Sequence, residues 1–245
     1  MDPVYWYLDE AGSTPSLEPF SPEENLHTLE LARLKDMKIP KRREEWLHGR
    51  LTAKRLLTAP GLPLEDVPFP QIFITNQAEG APEIAAPLTP GCLSISHREK
   101  LAVAAYTQIP DHTVGIDLEF IEPRAWSFIK DFFTTAEADY AHDLPEAEKN
   151  VWATLAWSAK EAVLKAWQKG LRLDTRRVEI SPVPADQLAS SPDTWQLLTW
   201  QAHLDGFPDC WLVWRRWGEY VLTLAGEKKK GDSHDEPPEI IQINR

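Results

Sequence analysis

Cysteine is scarce in this chain, and a long apolar run, a secretory start and an excess of basic residues are all missing. Only Cys92 and Cys210 occur among 245 residues, far apart and outside any paired pattern, which argues against a disulfide framework or a zinc ribbon. No apolar stretch approaches the roughly 18 residues of a membrane helix, and the opening residues lack the basic and apolar segments of a secretory signal. We therefore expect a cytosolic protein with no membrane partner.

The overall charge is negative. Lys and Arg total 26 against 38 Asp and Glu, which gives a formal net charge of -12 and a pI of about 5.1. A basic nucleic-acid-binding protein is thereby excluded as the first hypothesis. The hydrophobic fraction of 42% and the charged fraction of 26% are typical of a folded globular protein, and a chain of this length buries roughly 70–75% of its unfolded surface.

Hydrophobic periodicity changes along the chain between proline-rich breaks. Helical patterns run through residues 21–57, with a break at Pro40, and through residues 125–141 and 146–169. Alternating patterns between residues 93 and 120 indicate an antiparallel meander, and further strands are expected after residue 178. The chain is therefore predicted to be α+β, with strands that pair mostly antiparallel.

A short internal echo links the two halves of the chain. Leu51-Thr-Ala-Lys54 and Trp157-Ser-Ala-Lys160 each lie in a predicted helix, and their lysines are 106 residues apart. Because Ala-Lys is common in helices, this match alone leaves open whether the halves are duplicated.

Two carboxylates share one face of a predicted strand. In the segment from residue 113 to residue 120, alternation places Gly115, Asp117 and Glu119 on one face and apolar side chains on the other. On the solvent side of a sheet such a pair has no function. Facing a cleft, it would favour a hard divalent cation such as Mg²⁺, and Gly115 would leave room for a ligand.

The longest predicted helix carries a charged pair opposite its apolar stripe. Glu161 and Lys165 are four residues apart and therefore neighbours on that face. Taken alone, the pair is best interpreted as a surface interaction that contributes a few tenths of a kcal/mol.

A basic segment stands out within this acidic chain. Between Arg33 and Arg55, nine basic residues and three acidic ones give a charge of +6, which leaves -18 elsewhere. This segment is either a solvated face or a site for a small polyanion with several phosphates. Ser96 and His97, at the end of a predicted strand, would add further hydrogen-bond donors.

Two of these segments together resemble the paired signature of the Sfp-type 4'-phosphopantetheinyl transferases. They are Val114-Gly-Ile-Asp-Leu-Glu119 and, 38 residues later, Trp157-Ser-Ala-Lys-Glu-Ala-Val-Leu-Lys165. Three other segments resemble family motifs in the family's order: Glu45-Trp-Leu-His-Gly-Arg-Leu-Thr-Ala-Lys54, Leu93-Ser-Ile-Ser-His97 and Phe132-Phe-Thr-Thr-Ala-Glu137.

The resemblance implies a pseudo-dimer of two similar lobes in a monomer, each with an antiparallel sheet and a long helix, and an active site where the lobes meet. The lobes are expected at residues 1–110 and 111–225, followed by a poorly ordered tail at 226–245. It also implies a reaction in which the 4'-phosphopantetheine arm of coenzyme A is transferred to a serine of an apo acyl or peptidyl carrier protein, releasing adenosine 3',5'-bisphosphate.

The resemblance further assigns roles to residues of the second lobe. Asp117, Glu119 and Glu161 match the family's Mg²⁺ ligands. Glu161 is expected to deprotonate the attacking serine, with Glu137 as the second candidate for that base. Lys165 is expected to neutralise the diphosphate and to protonate the leaving phosphate.

For the remaining phosphates of coenzyme A, the resemblance points to the first lobe. Arg50 matches by motif, and Arg43 and Lys54 match by place. Ser96 and His97 resemble the pair that contacts the 3'-phosphate. One departure concerns Gly80-Ala81-Pro82, because many members of the family have a phosphate-contacting lysine at the position of Ala81.

Two other functions remain open at this point. A non-catalytic module that binds coenzyme A or a carrier protein would explain the missing lysine. A Mg²⁺-dependent phosphohydrolase would use water in place of serine, and it would cleave coenzyme A without any carrier protein.

Overall fold

A computed structural model describes residues 3–10, 21–190, 193–228 and 236–244. Within them the chain divides into two compact units. Unit 1 comprises the described residues up to Thr113 together with those from Pro238 onward, and unit 2 comprises those from Val114 to Pro237. The boundary falls three residues beyond the expected one, and the end of the expected tail is part of unit 1.

Unit 1 combines one long helix with a four-stranded sheet. Its helices are α1 (Pro22–Asn25), α2 (Thr28–Asp36) and α3 (Pro40–Leu57), and its strands are β1 (Val4–Glu10), β2 (Phe73–Asn76), β3 (Pro82–Ala86), β4 (Cys92–Arg98), β5 (Leu101–Thr107) and β12 (Ile240–Gln242). The sheet order is β12-β1-β5-β4, and β2 and β3 form a separate hairpin. Apolar residues of α3 pack with those of the strands in one core.

Unit 2 repeats this plan of a long helix on a four-stranded sheet. Its helices are α4 (Trp126–Phe132), α5 (Thr135–Asp143), α6 (Glu146–Ala166) and α7 (Ala185–Ala189), and its strands are β6 (Val114–Phe120), β7 (Val178–Ile180), β8 (Gln196–Leu197), β9 (Trp200–Ala202), β10 (Cys210–Trp217) and β11 (Tyr220–Glu227). The sheet order is β6-β11-β10-β8, and β7 pairs with β9. The α6 helix is central to the core of this unit.

The predicted α+β class with mainly antiparallel pairing is confirmed. Every ladder is antiparallel except that between β1 and β12, among the residues that the structure describes. The predicted long helix is observed as α6, which begins with acidic residues that favour the positive end of the helix dipole. It ends shortly before Gln168, whose φ of 55° is left-handed.

The expected break at Pro40 is observed, because α2 ends at Asp36 and Pro40 begins α3, where a proline lacks only an N–H that would be unsatisfied. Two features differ from the sequence-based expectation. The β3 strand crosses a segment expected to be a proline-rich break, with Pro82 as its first residue. Part of the expected tail is ordered, since Ile240–Gln242 pairs in parallel with β1. Residues 229–235 and 245 of that tail lie outside the described residues.

Candidate active site

The two carboxylates of β6 face α6, as the strand alternation predicted. Oε1 of Glu119 accepts a hydrogen bond of 3.2 Å from the indole N–H of Trp157, and Oε2 accepts one of 2.9 Å from Arg124. Oδ1 of Asp117 lies 2.7 Å from Nζ of Lys165. The strand and the helix of the paired signature therefore meet through direct polar contacts within unit 2.

Gly115 explains how α6 comes so close to β6. A Cβ built at this glycine would lie 2.0 Å from the carbonyl oxygen of Ala162 and 2.5 Å from the amide nitrogen of Ala166. The space expected to admit a ligand is instead filled by the backbone of α6. This close approach lets Lys165 also donate to the carbonyl of Ile116 at 3.0 Å, which anchors its ammonium beside Asp117.

Glu161 lies close enough to both β6 carboxylates for their negative charges to affect its pKa. Burial raises its pKa to about 7, repulsion from Asp117 and Glu119 adds to this, and the positive charge of Lys165 opposes it. Its Oε1 is buried and has no hydrogen-bond partner among the described residues. Glu161 and Lys165 are therefore not a plain surface pair, because both take part in a partly buried acidic cluster.

The donor set of this cluster suits a hard divalent cation. Asp117, Glu119 and Glu161 offer carboxylate oxygens, and Oε1 of Glu161 is buried without a hydrogen-bond partner among the described residues. Burial is the main cause of the raised pKa of Glu161, and repulsion from Asp117 and Glu119 adds to it. No group of three or more His, Cys, Asp or Glu side chains among the described residues is already close enough to hold a metal ion. The residues thus fit Mg²⁺ by chemistry and charge, whereas a fully assembled ligand shell is not observed.

Glu137 has a different setting from Glu161. It is only 1% exposed, and its Oε2 lies 2.8 Å from Nζ of the equally buried Lys160. The same oxygen accepts from the backbone N–H of Thr134, which closes a capping box at the start of α5, and Oε1 accepts from the N–H of Ile180 in β7. This carboxylate is enclosed and fully engaged, so the geometry argues against Glu137 as the catalytic base.

Unit 1 contains the same arrangement, built from residues 106 or 107 positions earlier. Glu30 is 1% exposed, and its Oε2 lies 2.5 Å from Nζ of Lys54. That oxygen also accepts from the N–H of His27 in a capping box at the start of α2, and Oε1 accepts from the N–H of Ile74 in β2. The short echo in the sequence therefore falls on two buried lysines with equivalent partners.

Lys54 is enclosed by this network. Its side chain is 0% exposed, and the ammonium also donates to the carbonyls of Asn25 and Phe69. Burial lowers the pKa of Lys54, and the charge of Glu30 opposes that shift. The structure does not bring Lys54 to a surface where a coenzyme phosphate could contact it.

The other residues expected to bind coenzyme A lie on α3 and β4. Arg50 is buried, whereas Arg43 and His97 are exposed. A Cβ built at Gly49 would lie 3.6 Å from Cδ2 of His97, an ordinary van der Waals distance, so the histidine ring lies beside α3 at this residue. Ser96, 8% exposed, precedes it on β4. Within unit 1 the Gly-Arg helix and the Ser-His strand are therefore brought together.

Comparison with known proteins is consistent with these motifs. Residues 113–225 match the family model described as the 4'-phosphopantetheinyl transferase superfamily, and residues 31–107 match that of the 4'-phosphopantetheinyl transferase N-terminal domain. The chain belongs to the 4'-phosphopantetheinyl transferase superfamily. The first range contains the contacts described above for unit 2, and the second contains Arg50, Lys54, Ser96 and His97 but begins one residue after Glu30.

A curated relative of this transferase is the 4'-phosphopantetheinyl transferase HetI from Nostoc sp. strain PCC 7120. It is 28% identical over 181 residues, which cover 69% of this chain and 70% of HetI. Among solved structures, a holo-(acyl-carrier-protein) synthase from Bacillus anthracis in complex with coenzyme A is 17% identical, with a TM-score of 0.38. That match covers 47% of this chain and 94% of the synthase.

Sequence reasoning missed one charged residue of the transferase's acidic cluster. Arg124, in the loop after β6, binds Glu119 at 2.9 Å, lies 3.4 Å from Glu122 and stacks 5.2 Å from the ring of Phe128. The signal available in the sequence was its position five residues after Glu119. Two residues five positions apart in a loop need not be in contact, because the conformation of the loop determines the distance between their side chains.

Proposed function

We propose that this transferase moves the 4'-phosphopantetheine arm of coenzyme A to a serine hydroxyl of an apo acyl or peptidyl carrier protein and releases adenosine 3',5'-bisphosphate. The observation that carries the proposal is the meeting of Asp117, Glu119, Glu161 and Lys165 between β6 and α6. We assign the chain to the Sfp type of the family, on the strength of its two-lobe organisation within one polypeptide.

Asp117, Glu119 and Glu161 are proposed to hold Mg²⁺, without which three neighbouring carboxylates repel one another. Bound there, the ion would supply Lewis-acid stabilisation to the diphosphate of coenzyme A. The unpartnered oxygen of Glu161 and the raised pKa of its carboxyl support this assignment.

Glu161 is also proposed to be the base that takes the proton of the serine hydroxyl, directly or through water, because its buried Oε1 has no hydrogen-bond partner among the described residues. The serine oxygen forms a bond to the phosphorus next to pantetheine, and the bond between that phosphorus and the bridging oxygen breaks. Lys165 is proposed to donate a proton to the departing phosphate. Its ammonium is held near this point by Asp117 and by the carbonyl of Ile116.

In unit 1, Arg50, Arg43, Ser96 and His97 are proposed to contact the phosphates of coenzyme A. The packing of His97 beside Gly49, one residue before Arg50, supports a shared site for these side chains.

We further propose a cytosolic monomer. The two cysteines of the chain, Cys92 and Cys210, lie in different units, which fits a reducing compartment where disulfides are rare. Within the part of the chain that the structure describes, no helix has the length and apolar character needed to cross a bilayer.

Intact-mass spectrometry tests the reaction. The purified protein, Mg²⁺, coenzyme A and an apo carrier protein should yield a carrier that is heavier by one phosphopantetheine. Cleavage of coenzyme A without a carrier would favour the phosphohydrolase, and binding of coenzyme A without a mass shift in any of several carriers would favour the non-catalytic module.

Two measurements on one variant test the metal assignment. Asp117→Asn should lower transfer by about 10³-fold or more, comparable with other losses of transition-state electrostatics. In thermal unfolding, Mg²⁺ should raise the melting temperature of the wild type but not of this variant. Asp143→Asn, at an exposed position on α5, is the matched control and should behave as the wild type. Equal Mg²⁺ responses of wild type and Asp117→Asn would contradict the assignment.

A further inference from the structure

Both carboxylate oxygens of Glu119 are engaged by neighbouring side chains. Oε1 accepts from the indole N–H of Trp157 at 3.2 Å, and Oε2 accepts from Arg124 at 2.9 Å. The side chains of Arg124 and Glu119 are only 14% and 15% exposed, so water screens their ion pair less than it screens a pair on the open surface. Glu119 therefore already has a cationic partner within the protein.

Arg124 is held beside Glu119 by packing as well as by charge. Its guanidinium lies 5.2 Å from the ring centroid of Phe128 in α4, and one of its terminal nitrogens lies 3.4 Å from Glu122. Phe128 in turn packs edge-on against Trp157, with ring centroids 4.9 Å apart. The contacts among Glu119, Arg124, Phe128 and Trp157 thus form a closed circuit, which fixes the position of the guanidinium.

The other carboxylate of β6 also has a cationic partner. Nζ of Lys165 lies 2.7 Å from Oδ1 of Asp117. When all five groups are ionised, the three carboxylates of the acidic cluster, Asp117, Glu119 and Glu161, carry a charge of -3, which Lys165 and Arg124 reduce to -1. Because a smaller negative charge attracts a divalent cation less strongly, each of these internal cations lowers the affinity of the cluster for such an ion.

The two internal cations differ in what the proposed reaction asks of them. Lys165 is proposed to donate a proton to the departing phosphate, whereas that scheme gives no task to Arg124. A partly buried ion pair is weak evidence of a stabilising role, because taking both charges out of water is costly. The ion pair of Arg124 with Glu119 therefore requires a functional explanation.

We propose that Arg124 is the internal counter-ion of Glu119, which holds this carboxylate in place and lowers the affinity of the acidic cluster for a divalent cation. The inference rests on the proposed function, in which Glu119 is a ligand of Mg²⁺. While the guanidinium is in place, the cluster binds the ion weakly in the absence of substrate, and the negative charge of a bound diphosphate compensates for the arginine. Arg124 is thus a positioning residue that acts on the reaction through Glu119.

Electron paramagnetic resonance of free Mn²⁺, a hard cation that carboxylates also bind, tests this inference on the full chain without coenzyme A or a carrier protein. Arg124→Gln should tighten the binding of Mn²⁺ by about tenfold, because the charge of Glu119 is then no longer compensated. Damage to the fold would weaken binding of the ion, so the direction of this change separates the inference from a merely structural role.

Two further variants serve as references. Arg124→Lys retains the positive charge and should bind Mn²⁺ within about twofold of the wild type. Arg176→Gln is the matched control, because Arg176 forms an ion pair of 2.8 Å with Asp174 on the exposed surface of the same unit, and it should leave the affinity unchanged. The melting temperature of each variant, measured without metal, shows whether it is folded.

The outcomes separate this inference from the proposed function. If Arg124→Gln binds Mn²⁺ no more tightly than the wild type, or if Arg124→Lys tightens binding as much as Arg124→Gln does, the inference is refuted even when carrier transfer is observed. If Asp117→Asn binds no less Mn²⁺ than the wild type, the metal assignment fails and the inference fails with it. If Arg124→Gln alone tightens binding but the wild type modifies no carrier, the inference stands and the proposed reaction fails.

Discussion

The two units share a buried framework but carry opposite charges beside it. In unit 1 the pair of Glu30 and Lys54 joins α2, α3 and β2, and in unit 2 the pair of Glu137 and Lys160 joins α5, α6 and β7. In both, one oxygen of the glutamate accepts from a strand N–H, and the other accepts from a helix cap and faces the lysine.

The residues next to these pairs differ in sign. Directly after the lysine, the α3 helix carries Arg55 and the α6 helix carries Glu161. One turn before the lysine, α3 carries Arg50 and α6 carries Ala156. The buried pairs hold equivalent helices, and the neighbouring positions are free to carry different chemistry. The most similar charged residues of the two units are therefore structural, while the functional candidates are those that differ.

The largest expected effects are on the kinetics of transfer, and they differ between Glu161 and Arg50. Glu161→Gln should reduce kcat by about 10²–10⁴-fold at saturating coenzyme A, because it removes the proposed base. Arg50→Gln should instead raise KM for coenzyme A by about 10- to 100-fold with a smaller change in kcat, since it removes a charge-assisted contact to the substrate.

Initial-rate kinetics with carrier and coenzyme A varied separately measure both parameters. Glu148→Gln on α6 and Arg42→Gln on α3 remove the same charges elsewhere on the two helices and should change neither parameter. A fall in kcat for Arg50→Gln as large as that for Glu161→Gln would break the distinction between a binding helix and a catalytic helix.

The next effect concerns stability. Glu30→Leu and Glu137→Leu should each cost about 3–5 kcal/mol of unfolding free energy, because each leaves a buried ammonium without its carboxylate and two backbone N–H groups without an acceptor. Urea denaturation followed by fluorescence measures these losses. If the frameworks are equivalent, the two values should agree within about 1 kcal/mol; a loss near zero in one unit would end the comparison.

Double variants test whether the unpaired ammonium causes this loss of stability. Removing both charges, as in Glu137→Leu with Lys160→Met, should restore part of the stability lost in the single variant, because no unpaired charge remains inside the protein. The same should hold for Glu30→Leu with Lys54→Met. If a double variant is no more stable than the corresponding single glutamate variant, the unpaired ammonium is not the cause of the loss.

A smaller effect distinguishes Gly115, on the strand that faces α6, from Gly49, on the α3 helix that faces β4. Gly115→Ala should destabilise the protein by about 1–3 kcal/mol, because its Cβ would meet the backbone carbonyl of Ala162 at 2.0 Å. Gly49→Ala should cost less, since its nearest contact, at 3.1 Å, is a methyl group of the Ile95 side chain that can move. Thermal unfolding compares the two, and a larger loss for Gly49→Ala would contradict this ranking.

The smallest expected effect is a difference in reactivity between the two cysteines. Burial raises the pKa of the Cys210 thiol to about 12, with the charge of Glu227 adding to the shift. At pH 8 its thiolate is therefore rare, and raising the pH to 9 leaves it so. Iodoacetamide should label the partly exposed Cys92 of unit 1 faster than Cys210, as read by mass spectrometry of the native protein. Faster labelling of Cys210 would show that unit 2 opens locally.

Sequence periodicity predicted those parts of the site that involve residues close together in the chain. The alternation along β6 correctly placed Asp117 and Glu119 on one face, and the helical period of α6 placed Glu161 and Lys165 together. These relations involve residues two to four positions apart, for which backbone geometry alone determines the side-chain direction.

Relations over long distances along the chain could not be predicted in the same way. The basic segment predicted a solvated or phosphate-binding Lys54, but its partner Glu30 lies 24 residues earlier and buries it. Likewise, Asn76 joins Arg33 to Arg50 across 43 and 26 residues, and no periodicity links these positions. Tertiary pairing of charges decided whether each basic side chain points inward or outward.

The pairing of β12 with β1 has a consequence for the newly made chain. During translation unit 2 is complete once residue 237 has left the ribosome, whereas the first sheet still lacks the strand at Ile240–Gln242. Until then, the backbone edge of β1 that β12 covers is open to other chains. The nascent protein therefore still exposes this strand edge late in synthesis, and a stop codon shortly before residue 240 would make that exposure permanent.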